Sequence, residues 1–291
     1  MMTFAALVLI LTPGVALGQQ AARNVSIKEA CPLDMAENSV DDRYDGCREE
    51  MTHLVQSKYL KRELSMSLNF SKAWHMGEKF CTEDKLNNLT RENCIALFAY
   101  TYDNSTIFKP FNNATRIGRG NYTNMTYGWY SLHFLLTDAL RKKSEKSCKI
   151  TYRGTDRTFE KEVTNTEIRF GSFTSSSKKV SVAQTFGKVS CFKIMTCHGV
   201  NIMNYSNYPE QEEVLIPPYE MFNVTDVWKR TAFPGLWCET VFELNSTGTR
   251  SNQQCELVKL EASGESQIYN RYQPLVVSSA CVFTLIHTFL R

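Results

Sequence analysis

The chain has 291 residues, 43% of them hydrophobic and 22% charged, with a formal net charge of +3 at pH 7. This near-neutral balance predicts no nucleic-acid partner, because such partners are bound by strongly basic surfaces. Ten cysteines and ten Asn-X-Ser/Thr sequons indicate a disulfide-bonded, glycosylated chain of an oxidising compartment. No Cys-X-X-Cys motif and no helically spaced His pair occurs, so no metal site is expected.

The chain begins with an apolar segment, MMTFAALVLILTPGVALG, over residues 1–18. Its apolar run of about ten residues is shorter than a bilayer span and ends in small residues, which predicts a secretory signal peptide over 1–18. An uncleaved signal anchor is the alternative interpretation. The mature chain is expected to start at residue 19.

Apolar residues recur at helical spacing as far as about residue 147. Helices are predicted over 47–68, 92–102 and 129–143; in the last of these the apolar positions fall on one face, with Leu132, Leu135, Leu136, Ala139 and Leu140. Residues 103–128 are dense in Asn and Gly and carry four sequons, so they are predicted as a loop.

Beyond residue 147 the sequence changes to short runs rich in Val, Ile, Phe and Thr, which predict strands. The runs are KITYRG, EIRFGSFTS, CFKIMTC, EEVLIPP, YEMFNVTDVW, LWCETVFEL and, over 255–261, CELVKLE. A helical first half followed by a strand-rich second half predicts an α+β fold. We expect one domain over residues 19–263.

The chain ends in a second apolar segment, PLVVSSACVFTLIHTFLR, over 274–291. A polar spacer of about nine residues precedes it, and the small residues Ser263 and Gly264 precede the spacer, which is the order of a GPI-attachment signal. We therefore expect a propeptide over 264–291 and a protein anchored to the outer face of the plasma membrane at Ser263 or Gly264. A transmembrane helix is the alternative, weakened by His287 within an already short span.

Three separated segments hold an arginine, a serine and a glutamate whose combined chemistry is specific. Arg153 ends a strand, Ser175 follows an aromatic strand, and Glu213 closes the acidic run EQEE. Cleavage of the nicotinamide–ribose bond of NAD passes through an oxocarbenium-like ribose that a carboxylate stabilises, while a guanidinium holds the pyrophosphate by forked hydrogen bonds. Singly, these residues are more typical of a surface charge, a loop serine and a solvated turn. Together they predict an NAD-cleaving site.

The segments ITYRGT, RFGSFTSSS, VAQTFG, TCHG and QEEVLIPPYE, in this order, closely resemble the cell-surface arginine-specific mono-ADP-ribosyltransferases. NSVDDRYDGC and YSLHFLLTDAL extend the similarity to residues 38–257. The resemblance implies the ADP-ribosyltransferase fold: an α+β domain in which a helical N-terminal part packs on a core of two β-sheets with an NAD cleft between them. It also implies a GPI anchor, which agrees with the C-terminal pattern.

The resemblance assigns roles to individual residues. Arg153 would grip the NAD phosphates, and Gly154 would bind the carboxamide through its backbone. Ser175 would orient the nicotinamide side of the site and hydrogen-bond the catalytic carboxylate of Glu213, which would contact the ribose 2-hydroxyl. Phe186 would stack on nicotinamide.

Two further residues match positions near the dinucleotide. These are Tyr100 and Ser206, and for Tyr100 a packed helical tyrosine is an equally good interpretation. The resemblance also implies two disulfides, Cys47–Cys255 and Cys148–Cys197. The remaining cysteines suggest Cys81–Cys94 and Cys191–Cys238 as further pairs, which leaves Cys31 as the odd thiol and Cys281 in the tail.

One position departs from the arginine-modifying members of this family. They carry glutamate two residues before the catalytic glutamate, where this chain has Gln211. That residue is expected to bind the acceptor guanidinium, and glutamine supplies neither a negative charge nor a base.

The sequence is therefore compatible with three functions. The first is transfer of ADP-ribose from NAD to arginine side chains of extracellular or membrane proteins. The second is NAD hydrolysis, and the third is an inactive recognition glycoprotein, which the intact Arg153, Ser175 and Glu213 disfavour. NADP is left open as a second substrate.

Overall fold

The computed structural model describes residues 30–102, 106–145 and 147–272, with side chains as far as residue 264. The expected signal peptide and the apolar tail from residue 274 lie outside these residues. Within them, no helix combines the length and the apolar character needed to cross a membrane.

The first half of the described chain is a helical lobe. Its helices are α1 (Arg48–Leu54), α2 (Leu60–Met66), α3 (Leu68–Phe80), α4 (Arg91–Thr101), α5 (Phe108–Ile117), α6 (Arg119–Thr123) and α7 (Tyr130–Lys142). A π-helical turn, Val55–Tyr59, joins α1 to α2, and a Thr90–Asn93 capping box starts α4. The three predicted helices are thus confirmed, and the capping box sets the start of α4, which periodicity does not show.

The predicted loop over 103–128 is wrong, because α5 and α6 lie within it. Phe111 and Thr115 are both fully buried and stand one helical turn apart, and the Phe111 ring stacks on Phe173 at 5.6 Å between centroids. Burial of this face therefore stabilises a helix that the Asn-rich composition disfavours locally.

The second half contributes the sheet and two helices. The strands are β1 (Lys149–Thr155), β2 (Glu167–Arg169), β3 (Thr174–Ser177), β4 (Ser190–Thr196), β5 (Val200–Asn201), β6 (Glu213–Ile216), β7 (Glu220–Lys229) and β8 (Thr240–Thr249). Helix α8 (Val180–Thr185) follows β3, and α9 (Glu256–Tyr272) follows β8. The α+β class is confirmed.

The strands form one eight-stranded sheet in the order β2-β7-β8-β4-β1-β3-β6-β5. Strand β1 runs the whole of its length against β4, from Lys149↔Thr196 to Thr155↔Ser190, but pairs with β3 only at Tyr152↔Ser177. The two expected sheets therefore correspond to two parts of one sheet: five strands from β2 to β1 and three strands from β3 to β5 in the sheet order. One residue pair joins the two parts. Beyond that pair the two strands are not paired, and the NAD cleft that the resemblance implies would lie here, between the two parts.

The predicted strand over 255–261 is wrong, since these residues begin helix α9. Leu257 is buried, and Glu261, four residues later, ion-pairs with Lys58 at 2.6 Å and hydrogen-bonds Tyr59 on the helical lobe. This i, i+4 spacing places both residues on one helical face, which contacts the lobe.

Four disulfides link the described residues. They are Cys47–Cys255, Cys81–Cys94, Cys148–Cys197 and Cys191–Cys238, the same pairs as expected. Cys47–Cys255 spans 208 residues and joins the first helix to the last. In the chain-entropy model, closing so long a loop lowers the entropy of the unfolded chain and thereby stabilises the folded protein by about 4–5 kcal/mol. Cys31 is a free, half-buried thiol.

Candidate active site

Three strands bring the predicted arginine, serine and glutamate to the cleft. Arg153 lies near the end of β1, Ser175 within β3 and Glu213 at the start of β6. The β3–β6 register pairs Ser175 with Leu215 and Ser177 with Glu213, so the serine and the glutamate lie on neighbouring strands. Arg153 Nη1 donates to the Ser175 carbonyl oxygen at 2.6 Å, which ties β1 to β3 where their pairing ends.

The Glu213 carboxyl is nearly withdrawn from solvent, with 7% of the residue exposed. Burial raises its pKa to about 7, while a hydrogen bond from the Ser175 hydroxyl and the Arg153 charge oppose the shift. A carboxyl with this pKa changes its ionisation state near neutral pH, as burial also makes Glu63 of the helical lobe do, so its position beside Arg153 and Ser175 is what distinguishes Glu213.

Arg153 is half-buried, and burial lowers its pKa while Tyr100 and Glu213 act in the opposite direction. Within the described residues, the hydrogen-bond acceptor for its guanidinium is the Ser175 carbonyl. A guanidinium carries five N–H donors in a planar fork, so this bond fixes its orientation and leaves donors for an anionic ligand. The arrangement suits a phosphate or pyrophosphate.

Tyr100 lies behind the site and not at its surface. The residue is 3% exposed, and its hydroxyl donates to the Phe173 carbonyl at 3.1 Å and accepts from Asn112 Nδ2 at 2.9 Å. Burial, followed by the charge of Glu213, raises its pKa to about 12. Tyr100 thus holds the backbone two residues before Ser175, through the Phe173 carbonyl. The sequence did not predict a role for Asn112, because its segment was predicted as a loop.

Helix α8 packs on the β1 side of the cleft and presents Phe186. This residue caps the C-terminus of α8 and is 59% exposed, which is unusual for so large an apolar side chain. Gly154 is required by packing: a Cβ there would stand 2.2 Å from the Ala183 carbonyl oxygen and 2.4 Å from that of Gly187. The glycine therefore lets the turn after α8 approach β1.

Gln211 ends the short 3-10 turn Pro209–Gln211, two residues before Glu213. Its carbonyl oxygen accepts from Ser177 Oγ at 2.6 Å, so its backbone is fixed against β3. Ser206 lies on the loop between β5 and β6, which is held to the Glu213 backbone through the Ile202 N–H. It is 3% exposed, its Oγ accepts from the Tyr208 N–H at 3.0 Å, and it lines a groove that also contains Met76 and Phe80.

In the described part of the chain, His, Cys, Asp and Glu side chains nowhere gather in groups of three or more that could hold a metal ion. The site offers a buried carboxylate, a half-buried guanidinium, a serine and an exposed aromatic ring. This set matches the groups that the sequence predicted for cleavage of NAD.

Comparison with known proteins identifies the family. Residues 33–234 match the model of the family "NAD:arginine ADP-ribosyltransferase". The erythroblast NAD(P)(+)--arginine ADP-ribosyltransferase of Gallus gallus is 34% identical over 87% of this chain and 84% of its own. The GPI-linked NAD(P)(+)--arginine ADP-ribosyltransferase 1 of Mus musculus is 32% identical over 89% and 83%.

Solved structures agree. The eucaryotic mono-ADP-ribosyltransferase ART2.2 aligns with a TM-score of 0.66 and 32% identity, covering 77% of this chain and 98% of its own. A variant of that enzyme in complex with NAD aligns with a TM-score of 0.65 and 31% identity over the same shares. The chain belongs to the NAD:arginine ADP-ribosyltransferase family, as its sequence motifs indicated.

Proposed function

We propose that this protein is a mono-ADP-ribosyltransferase that cleaves NAD and transfers ADP-ribose to arginine side chains of proteins at the cell surface. The observation that carries the proposal is the meeting of Arg153, Ser175 and the buried Glu213 where β1 and β3 separate. Family membership and the similarity to an enzyme solved with NAD support the same substrate.

The reaction breaks the bond between ribose C1 and the nicotinamide nitrogen, and the bonding electron pair leaves with nicotinamide. Positive charge develops on the ribose, where the ionised Glu213 stabilises it and accepts a hydrogen bond from the 2-hydroxyl. Arg153 holds the pyrophosphate, and Phe186 offers its exposed ring to nicotinamide. A guanidine nitrogen of the acceptor then bonds to C1 and releases a proton.

Gln211 favours a second activity at the same site, hydrolysis of NAD. The acceptor guanidinium must be held and must lose a proton, and a neutral amide provides hydrogen bonds for the first task but no base for the second. Water competes for C1 under these conditions and yields free ADP-ribose. Both reactions thus begin with cleavage of NAD, and Gln211 governs how much ADP-ribose goes to the acceptor arginine and how much to water.

The test uses the secreted ectodomain, residues 19–263, with labelled NAD and agmatine as a small arginine mimic, and separates the products by chromatography. We expect nicotinamide release together with ADP-ribosyl-agmatine. Free ADP-ribose with little adduct would assign hydrolysis as the main activity. Nicotinamide release no faster than in buffer would reject both and favour a recognition role.

We extend the proposal to location: a signal peptide over 1–18 and replacement of 264–291 by a GPI anchor would place the catalytic domain, 19–263, on the outer face of the plasma membrane. The four disulfides fit an oxidising compartment, and the name of the mouse relative includes a GPI linkage. Release of the full-length protein from intact cells by a phosphatidylinositol-specific phospholipase tests this, and retention on the cells would contradict it.

A further inference from the structure

The loop between β5 and β6 carries the sequon Asn204-Tyr205-Ser206 beside the proposed site. Tyr205 and Ser206 are each 3% exposed, whereas Asn204 is exposed. The loop buries the flanking side chains and presents the asparagine amide to solvent. A bulky glycan on Asn204 is therefore compatible with the packed fold.

Both ends of this loop are fixed. The Ile202 N–H donates to the Glu213 carbonyl oxygen at 3.0 Å, and the Asn207 N–H donates to Thr101 Oγ1 at 3.0 Å. Asn204 follows Ile202 by two residues, a chain length of at most about 7 Å. The sequon is consequently held close to the backbone of the proposed catalytic glutamate.

Asn204 also lines a groove that extends to Pro209, two residues before the proposed acceptor residue Gln211. This groove of about 540 Å³ lies between the helical lobe, through Lys79 and Phe80, and the loop that runs from Asn204 to Pro209. Pro209 begins the turn that ends at Gln211. An acceptor whose arginine reaches Gln211 and Glu213 therefore passes or covers this groove.

We propose that Asn204 is N-glycosylated and that its glycan restricts the access of protein acceptors to the cleft. This inference rests on the proposed function and adds its regulation. A folded acceptor covers on the order of 800 Å² around its target arginine, whereas agmatine or water needs only the cleft itself. The glycan thus discriminates by acceptor size and acts in the same direction as Gln211, away from protein transfer.

The test compares the secreted protein from glycosylating animal cells with the variant Asn204→Gln. Peptide mapping by mass spectrometry reads occupancy of Asn204. Transfer to histone, an arginine-rich protein acceptor, is measured beside transfer to agmatine and release of nicotinamide. We expect occupancy of Asn204, and in Asn204→Gln about a tenfold gain for histone, because removing the obstruction raises the association rate. The agmatine and nicotinamide rates should change by less than about twofold, since the cleft itself is unaltered.

Asn245→Gln provides the matched control. Asn245 is an exposed sequon asparagine on β8, four strands from β6 in the sheet, which corresponds to roughly 19 Å. Its loss should leave all three rates unchanged. Trimming of the wild-type glycans by an endoglycosidase should reproduce the Asn204→Gln rates without any substitution.

Three results would overturn the inference: an unoccupied Asn204, an equal gain in Asn245→Gln, or equal gains for histone and agmatine. Nicotinamide release at the buffer rate in every variant would instead reject the proposed function, and with it the role of the Asn204 glycan in restricting protein acceptors. Peptide mapping would still report whether Asn204 is modified, so the two failures are distinguishable.

Discussion

Replacing Glu213 by glutamine keeps the shape of the side chain and removes its charge. Because the residue is only 7% exposed, its carboxylate acts on the ribose through a poorly solvated medium. At an effective dielectric constant of about 20, opposite charges about 4 Å apart attract by roughly 4 kcal/mol. The amide dipole retains part of this stabilisation, so we expect NAD cleavage at least about a hundredfold slower, which equals about 2.7 kcal/mol in the barrier.

The assay measures initial rates of nicotinamide release at saturating NAD, with NAD affinity of the variant from calorimetry. Affinity should persist because Arg153 and its bond to the Ser175 carbonyl are untouched. Glu212→Gln is the matched control, since Glu212 is the adjacent carboxylate and ion-pairs with Lys179 at 2.8 Å on the surface. Near-normal cleavage by Glu213→Gln would show that a different carboxylate stabilises the transition state.

Glu213→Gln should also change how the stability of the protein depends on pH. Burial raises the pKa of Glu213 from 4.5 to about 7, so the fold favours the protonated acid. Its contribution to stability is present below the unfolded-state pKa and is lost as the pH rises through 7. At pH 8 the ionised carboxylate costs on the order of 3 kcal/mol. Glu213→Gln should therefore melt above the wild type at pH 8, with a smaller difference at pH 5, and a lower melting temperature at pH 8 would contradict the assigned burial.

Three further predictions concern the cleft. Because Glu213 must be ionised, kcat/KM for NAD should fall about tenfold per pH unit below pH 7, and a flat profile between pH 8 and 5 would exclude this dependence. Gln211→Glu should raise agmatine transfer relative to hydrolysis, measured as the ratio of chromatographic products; an unchanged ratio would remove the acceptor role of this position. Gly154→Ala should lower the free energy of unfolding by roughly 3 kcal/mol or more, since the added Cβ would stand 2.2 Å from the Ala183 carbonyl oxygen. Its control in denaturant unfolding is Gly120→Ala, where no atom lies within 4 Å, and equal stability of the two variants would contradict the packing argument.

Apolar residues at helical spacing predicted α4 and α7, both of which are buried on all sides over most of their length. Periodicity failed where tertiary burial decides. Helix α5 forms in an Asn-rich segment because Phe111 packs on Phe173, which is 62 positions away in the chain (173 − 111). The segment that begins α9 resembles a strand because it is a short apolar run, with Leu257, Val258 and Leu260, which periodicity alone does not distinguish from a helix. Its contact with the helical lobe is not visible in the local sequence.

For the site, too, the sequence predicted some features and not others. The motifs predicted Arg153, Ser175 and Glu213 because the chemistry of NAD cleavage needs those groups, and the fold brings the three onto neighbouring strands. The motifs did not show that backbone from the turn after α8 fills the space beside Gly154, or that the Tyr100 hydroxyl bonds Phe173 and Asn112. These relations depend on how strands separate at a single residue pair, a feature of three-dimensional packing rather than of any one segment.

The central claim is that the cleft at the β1–β3 separation binds NAD with its reactive ribose at Glu213. A crystal structure of Glu213→Gln soaked with NAD measures this directly, since slowed cleavage preserves the dinucleotide. We expect the pyrophosphate on the Arg153 guanidinium and the nicotinamide ribose within about 4 Å of the residue 213 side chain, close enough for the wild-type carboxylate to stabilise a positive charge there by roughly 4 kcal/mol at an effective dielectric constant of about 20. NAD bound elsewhere, or with its adenine end at residue 213, would contradict it.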